Sequence, residues 1–242
     1  AELQNVCSKL FKISPDETLS IVQDLYEKKL VTYPRTDARV LSTAVAKEIY
    51  KNISGLRNYP QAGEAAQGAL ELGAYKNIAK TRYTNDKQIT DHYAIIPTGQ
   101  GLGALKGLSL TAQWVYETIV RRFLSIFYPP AVYQKVSLVT KMENESFFSS
   151  FKVLLSEGYL KIAANSFAKK SMAEASGKTP ESEGEGEVSC DEALLAALQK
   201  LKKGDILNIN GLGIKEGETS PPKRYNSGSM ILAMENAGQL IE

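Results

Sequence analysis

The chain has 242 residues, of which 43% are apolar and 23% charged, with a formal net charge of +2. These are globular values, and no apolar run approaches the ~20 residues that a membrane-spanning helix needs. The two cysteines, Cys7 and Cys190, lie far apart without a CxxC pair, which excludes a disulfide framework and argues against a metal site. Residues 1–127 hold 16 Lys and Arg against 12 Asp and Glu, while residues 128–242 hold 13 against 15. The first half is therefore the better candidate to meet a polyanion. A chain that starts at Ala1 without a secretory signal reads as a cytoplasmic piece of a longer protein.

In chain order, Ser14-Pro15-Asp16-Glu17 has the form of a capping box with proline at the first helical position. Leu19, Val22, Leu25, Tyr26 and Leu30 follow at helical spacing, and Lys28 and Lys29 suit the negative end of the helix dipole. A short extended piece, Val31 to Tyr33, comes next, then a second helix from Ser42 to about Ile53. The pair suggests a helix-turn-helix-like arrangement. A short helix is expected around Glu64–Leu72, and a long one from about Thr111 to Phe127. The long helix has Val115, Ile119, Phe123 and Phe127 on one face and stops at Pro129-Pro130. After the double proline the pattern turns to strands, with Val132, Val136 and Leu138 in alternation and a second run from Phe148 to Leu155. Residues 158–162 are read as continuing this β character. Residues 168–190, rich in Ser, Gly, Glu and Lys, are read as a mobile acidic loop. A helix from Asp191 to Leu201, a strand from Asp205 to Asn210, and a linker feeding a last helix complete the chain. The expected class is α+β: a mainly helical, winged-helix-type domain over 1–127 and a β-rich segment over 128–220. The start of a further helical segment follows over 221–242.

Two stretches carry chemistry. In "LVTYPRTDARVLS", Pro34 holds Tyr33 extended and lets Tyr33 and Arg35 point to similar sides. A free phenol ionises near pH ~10, so it needs a nearby cation to act as a nucleophile. Its phosphate ester would conserve the energy of a broken phosphodiester, and Arg35 offers the planar fork that pairs with phosphate oxygens. In "TDHYAIIPTG", His92 is the only histidine of the chain and can donate to a phosphate oxygen or move a proton near pH 7. Ile95 and Ile96 are expected to anchor it. Read alone, each stretch is also compatible with a surface loop or a structural histidine.

Together, in this order, "LYEKKLVTYPRTDARVLS" and "TDHYAIIPTG" resemble the two signature blocks of type IA DNA topoisomerases, closest to the bacterial topoisomerase III branch. "SPDETLSIVQDLYEKK" and "PPKRY" fit the same family, and the resemblance covers nearly the whole chain. It implies that Tyr33 attacks a single-strand phosphodiester and holds the 5′-phosphate, that Arg35 contacts that phosphate, and that His92 hydrogen-bonds beside it. Thr36, Asp37, Tyr93 and Thr98 would line the DNA path. Ala38 departs from the family's usual serine. The resemblance also implies Mg²⁺ bound by an Asp-x-Asp cluster in a Toprim domain; no Asp-x-Asp occurs in this chain, so no metal is expected here and the fragment alone should be inactive. Residues 1–127 would be the tyrosine-bearing domain, 128–220 part of the arch whose strands serve motion, and 221–242 the returning base segment. Implied partners are single-stranded DNA and the Toprim, arch and base domains of the same chain, in a nucleoid-associated monomer that meets no membrane.

Three other readings compete. A non-catalytic single-stranded DNA-binding module fits the charge but leaves the Tyr33–Arg35–His92 set unused. A tyrosine recombinase would carry His-x-x-Arg ahead of a late tyrosine, whereas here Ile95 stands three after His92 and the tyrosine comes first. A protein-interaction scaffold rests only on the acidic stretch at 181–192. Trp114, Phe123 and Phe127 are read as core, and Lys169, Lys170, Lys202 and Lys203 as solvated. Arg121 and Arg122 are read as helix-end cations in preference to DNA contacts.

Overall fold

The computed structural model describes residues 1–167, 187–189, 196–198, 200–209, 211, 213 and 216–239. It is an α+β chain that divides into two compact units. The first comprises Ala1–Pro130, Gly158–Ser176 and Tyr225–Glu242; the second comprises Ala131–Glu157 and Gly177–Arg224.

The first unit is helical. Helix α1 (Glu2–Phe11) ends at Lys12 in the left-handed region, with Glu2 and Lys9 placed to suit the helix dipole. The sequence reading gave no helix here. Helix α2 (Pro15–Glu27) starts at Ser14, whose Oγ accepts from Glu17 N at 3.1 Å. Its core stripe is Thr18, Val22 and Leu25, so Thr18 is buried where Leu19 was expected, and Tyr26 faces solvent. The expected second helix divides at Ile49 into α3 (Thr43–Glu48) and α4 (Tyr50–Gly55). Ser42 caps α3 through Val45 N, and the Asp86 carboxylate accepts from both the backbone and the hydroxyl of Thr43. Those two bonds hold its pKa below the usual carboxylate value.

Helix α5 (Gly63–Leu72) and helix α6 (Leu110–Ser125) close the core. Val115, Ile119, Phe123 and Phe127 are buried as expected, joined by Tyr116, Val120 and Leu124. Trp114 is half-buried and stacks on Phe11 at 5.9 Å. Arg121 is not a helix-end cation. It lies against the buried Glu117 (2% exposed), with Nε 2.6 Å from Oε1, and it also donates to the carbonyls of Gln61 and Ile162. Among the described residues, β pairing in this unit is limited to the isolated bridges Val31–Pro97 and Leu41–Thr84. The strand pair that would form the wing of a winged helix is not among them.

Residues 158–162 correct the sequence reading. Gly158 has φ +47° and sits against the carbonyls of Pro129 and Pro130, where a Cβ would clash. Tyr159 N donates to Pro129 O at 2.9 Å, and helix α7 (Leu160–Ala163) follows. Glycine's conformational freedom here lets the chain rejoin the helical unit instead of extending the sheet. Helix α8 (Ser227–Glu235) is capped by Asn226 and packs on α1.

The second unit is built on an antiparallel pair, β1 (Val132–Met142) and β2 (Glu145–Ser156). They turn at Glu143-Asn144, with Glu143 at φ +53°, the hand that a two-residue hairpin turn requires. Even-numbered residues of β1 from Gln134 to Thr140 share the half-buried face. Strand β3 (Glu187–Ser189) pairs parallel to β2. The expected strand at 205–210 does not form over 205–209. The loop expected over 168–190 lies outside the described residues apart from β3, as does the start of the helix expected at 191–201. Among the described residues no helix is long and apolar enough to cross a membrane.

Candidate active site

The end of α2 determines where Tyr33 lies. Lys29 adopts φ +61°, its N–H returns to Tyr26 O at 2.8 Å, and Leu30 N returns to Leu25 O at 2.9 Å. This close reversal stops the helix and sends Leu30 to Thr32 out as an extended segment. The segment pairs with residues 94–98. Thr98 N donates to Leu30 O at 2.9 Å, and Thr32 N donates to Ile96 O at 3.0 Å. The Thr32 hydroxyl adds a second link, accepting from Ile96 N at 2.9 Å and donating to Ala94 O at 3.3 Å. The Thr98 hydroxyl donates to the carbonyls of Lys29 and Leu30. Asn52 Nδ2 holds Pro97 O from helix α4 at 2.9 Å. Two stretches far apart in sequence are thereby tied together by backbone.

The tie brings Tyr33 against His92, with ring centroids 4.4 Å apart and planes inclined by 42°. Tyr33 also takes an edge-to-face contact from Tyr26, at 5.5 Å and 85°. Beyond Tyr33 the buried Pro34 anchors the loop, and Arg35 projects into solvent. Thr36 Oγ1 donates to His92 O at 2.8 Å and accepts from Ala38 N at 3.0 Å. Thr36 therefore fixes the loop to the His92 backbone from a second side. Arg35, Thr36, Asp37, Thr90, Asp91 and His92 line one open cleft of about 310 Å³.

Tyr33, Arg35, Thr36, Asp37 and His92 thus converge. Tyr93 packs against the hydrophobic core, and Thr98 sits at the far end of the paired segments with its hydroxyl on backbone carbonyls. Ala38 leaves no gap in the loop's bonding, because its backbone N–H is held by Thr36. Among the described residues, no side-chain hydrogen bond or ion pair engages Tyr33 Oη, the Arg35 guanidinium or the His92 imidazole. All three can face an incoming group. Arg35 and His92 line the cleft and the Tyr33 ring lies against His92; a phenol, a guanidinium and an imidazole grouped in this way can bind a phosphate oxygen, attack phosphorus and handle a proton.

Sequence reasoning missed Thr32, Asn52 and Tyr26. Thr32 carried no signal beyond its place beside Tyr33, since its function depends on which backbone it meets. By spacing, Tyr26 falls in the apolar series of Leu19, Val22, Leu25 and Leu30. Arg39 bridges Glu2 and Glu235, at 2.9 Å to each, and steadies the loop where it returns to the core. Among the described residues no group of three or more His, Cys, Asp or Glu side chains could hold a metal.

A family model described as DNA topoisomerase matches residues 1–239. The chain is 36% identical over 242 residues to DNA topoisomerase 3 of Bacillus licheniformis and 34% identical to that of Bacillus subtilis. It is 33% identical to DNA topoisomerase 3 of Shouchella clausii. Each match covers 100% of this chain and 30% of the relative, so the chain spans about 30% of their length.

Proposed function

The chain belongs to the DNA topoisomerase family, and on that premise we propose that it carries the tyrosine side of a type IA strand-cleavage site. The observation that supports this reading best is the 4.4 Å contact between the Tyr33 and His92 rings beside the Arg35 cleft. Tyr33 Oη gives up its proton and bonds to phosphorus. The bond from phosphorus to the 3′-oxygen breaks, and that oxygen takes a proton and leaves as a 3′-hydroxyl. The 5′-phosphate remains on Tyr33, and the reverse attack reseals the strand. Arg35 pairs with the non-bridging oxygens, where charge builds up in the transition state. His92, held by the Thr36 bond to its carbonyl, donates to an adjacent oxygen or relays the proton. Thr36 and Asp37 shape the entrance, with Tyr93 and Thr98 supporting the wall.

In the intact enzyme the break would let another strand pass, relaxing negative supercoils or decatenating DNA without ATP. The partners are single-stranded DNA and the Toprim and remaining arch and base domains, in a monomer associated with the nucleoid. In the intact enzyme the Toprim acids would hold Mg²⁺, which would supply charge neutralisation. The described residues do not fit a metal, and every step assigned to this chain runs through Tyr33, Arg35 and His92.

The test is label transfer. The intact enzyme is mixed with Mg²⁺ and single-stranded DNA labelled at either end, then denatured quickly. Label from the 3′ end should appear on the wild-type protein, label from the 5′ end should not, and Tyr33→Phe should show neither. Binding without transfer by wild type and mutant alike would leave a non-catalytic single-stranded DNA-binding module.

A further inference from the structure

The ring of Tyr26 has no place in the core. On α2, Val22 and Leu25 are buried, while Tyr26 is 39% exposed. Its ring contact is with Tyr33, the edge-to-face approach at 5.5 Å. Through Tyr33 it joins the same three-ring cluster as His92. Lys29 is exposed on the same turn, its backbone N–H donating to Tyr26 O at 2.8 Å. Lys28, one residue earlier, is paired with Asp24. An aromatic ring open to water, with exposed basic residues on the same stretch of chain, is a means by which proteins hold unstacked bases of a single strand without reading their sequence.

We propose that Tyr26 is a substrate-positioning residue whose exposed ring stacks a nucleobase of the bound single strand next to the phosphate presented to Tyr33. The inference rests on the reading of Tyr33 as nucleophile. The two phenols lie within the span of one nucleotide, so a base fixed on Tyr26 limits where the neighbouring phosphodiester can sit. Lys29 offers its ammonium to the backbone of that nucleotide. The stacking tolerates any base, because every base has a π-face.

The test walks a single abasic residue along a short single-stranded DNA and measures binding to the intact enzyme by fluorescence anisotropy at fixed salt. Wild type, Tyr26→Phe and Tyr26→Leu are compared, with thermal unfolding confirming that each variant is folded. On intact DNA, Tyr26→Leu should bind about tenfold more weakly and Tyr26→Phe about as well as wild type, within the range seen for loss of a stacking aromatic. One abasic position should weaken wild type by a similar factor and weaken Tyr26→Leu no further. Equal affinity of Tyr26→Leu and wild type, or an abasic profile that Tyr26→Leu leaves unchanged, overturns the proposal. If Tyr33 still forms the covalent adduct in that case, only this inference fails. If wild type does not bind single strands at all, the reading of the site fails with it.

Discussion

Replacing Thr32 with valine keeps the shape of the side chain and removes only the hydroxyl that joins the tyrosine segment to the histidine segment. Two hydrogen bonds disappear: Ile96 N to Thr32 Oγ1 at 2.9 Å, and Thr32 Oγ1 to Ala94 O at 3.3 Å. The second is long and contributes little. The first matters, because Ile96 is 4% exposed and its N–H has no water to turn to. An orphaned buried donor costs roughly 1–3 kcal/mol. For a domain of this size that corresponds to a fall of about 2–12 °C in melting temperature. The backbone bond from Thr32 N to Ile96 O survives, so the segments stay paired while His92 loses its fixed height against the Tyr33 ring. Thr32→Ser, which keeps the hydroxyl, should recover most of the loss. The assay is urea unfolding together with amide hydrogen exchange at Ile96, which should quicken in Thr32→Val and stay slow in Thr32→Ser. Stability within about 0.5 kcal/mol of wild type, with Ile96 still protected in Thr32→Val, would refute the view that this hydroxyl joins the two halves of the site.

Glu117→Ala strands Arg121 and frees Ser166, whose N and Oγ both donate to the carboxylate at 2.6 Å. Breaking such a buried pair should cost about 3–5 kcal/mol by urea unfolding, and a paired replacement of Glu117 and Arg121 by Leu and Met should recover much of it. Burial pushes the Cys7 thiol up from 9.0 to about 12, against a smaller opposite effect of its hydrogen bond with Thr18. In a Cys190→Ser background, Cys7 should therefore resist alkylation at pH 8–9 until the chain is unfolded. The folded thiol keeps its proton where the unfolded one loses it, so the Cys7 contribution to stability should fall as pH rises from 9.0 toward about 12. Gly55→Ala places a methyl against the backbone of Gly99. It should shift the Pro97–Gly101 turn and lower stability by about 1–3 kcal/mol, read by thermal unfolding.

Much of the helical unit is legible in the sequence because its signals are local. Ser14 followed by Pro15 starts α2, and Pro129-Pro130 follows the end of α6, with the buried stripe of α6 at helical spacing. The pairing of Tyr33 with His92 is legible only through the resemblance of two motifs, since nothing local to either stretch states that they meet. Helix α1 is hidden by its polar composition; it is held by packing on α2 and α8, which periodicity alone does not reveal. Arg121 reads as an end-of-helix cation because its partner Glu117 looks like an ordinary surface residue one turn earlier; the carbonyls of Gln61 and Ile162 that complete the cage come from distant chain. Residues 158–162 carry strand-like composition, but the tight approach of Gly158 to the double proline redirects them into α7. Tyr26 fits a helical spacing on paper, and the reversal at Lys29 ends the helix so that the ring faces Tyr33 and solvent.

The most direct test of the central claim is to locate the adduct. The intact enzyme is trapped on single-stranded DNA, digested with nuclease and trypsin, and the peptides are sequenced by mass spectrometry. The tyrosine lies in the tryptic peptide spanning residues 30–35, between Lys29 and Thr36. The account predicts a nucleotide mass on that peptide, carried by Tyr33. A nucleotide on Tyr26, on any other residue, or on none while DNA cleavage proceeds would contradict it.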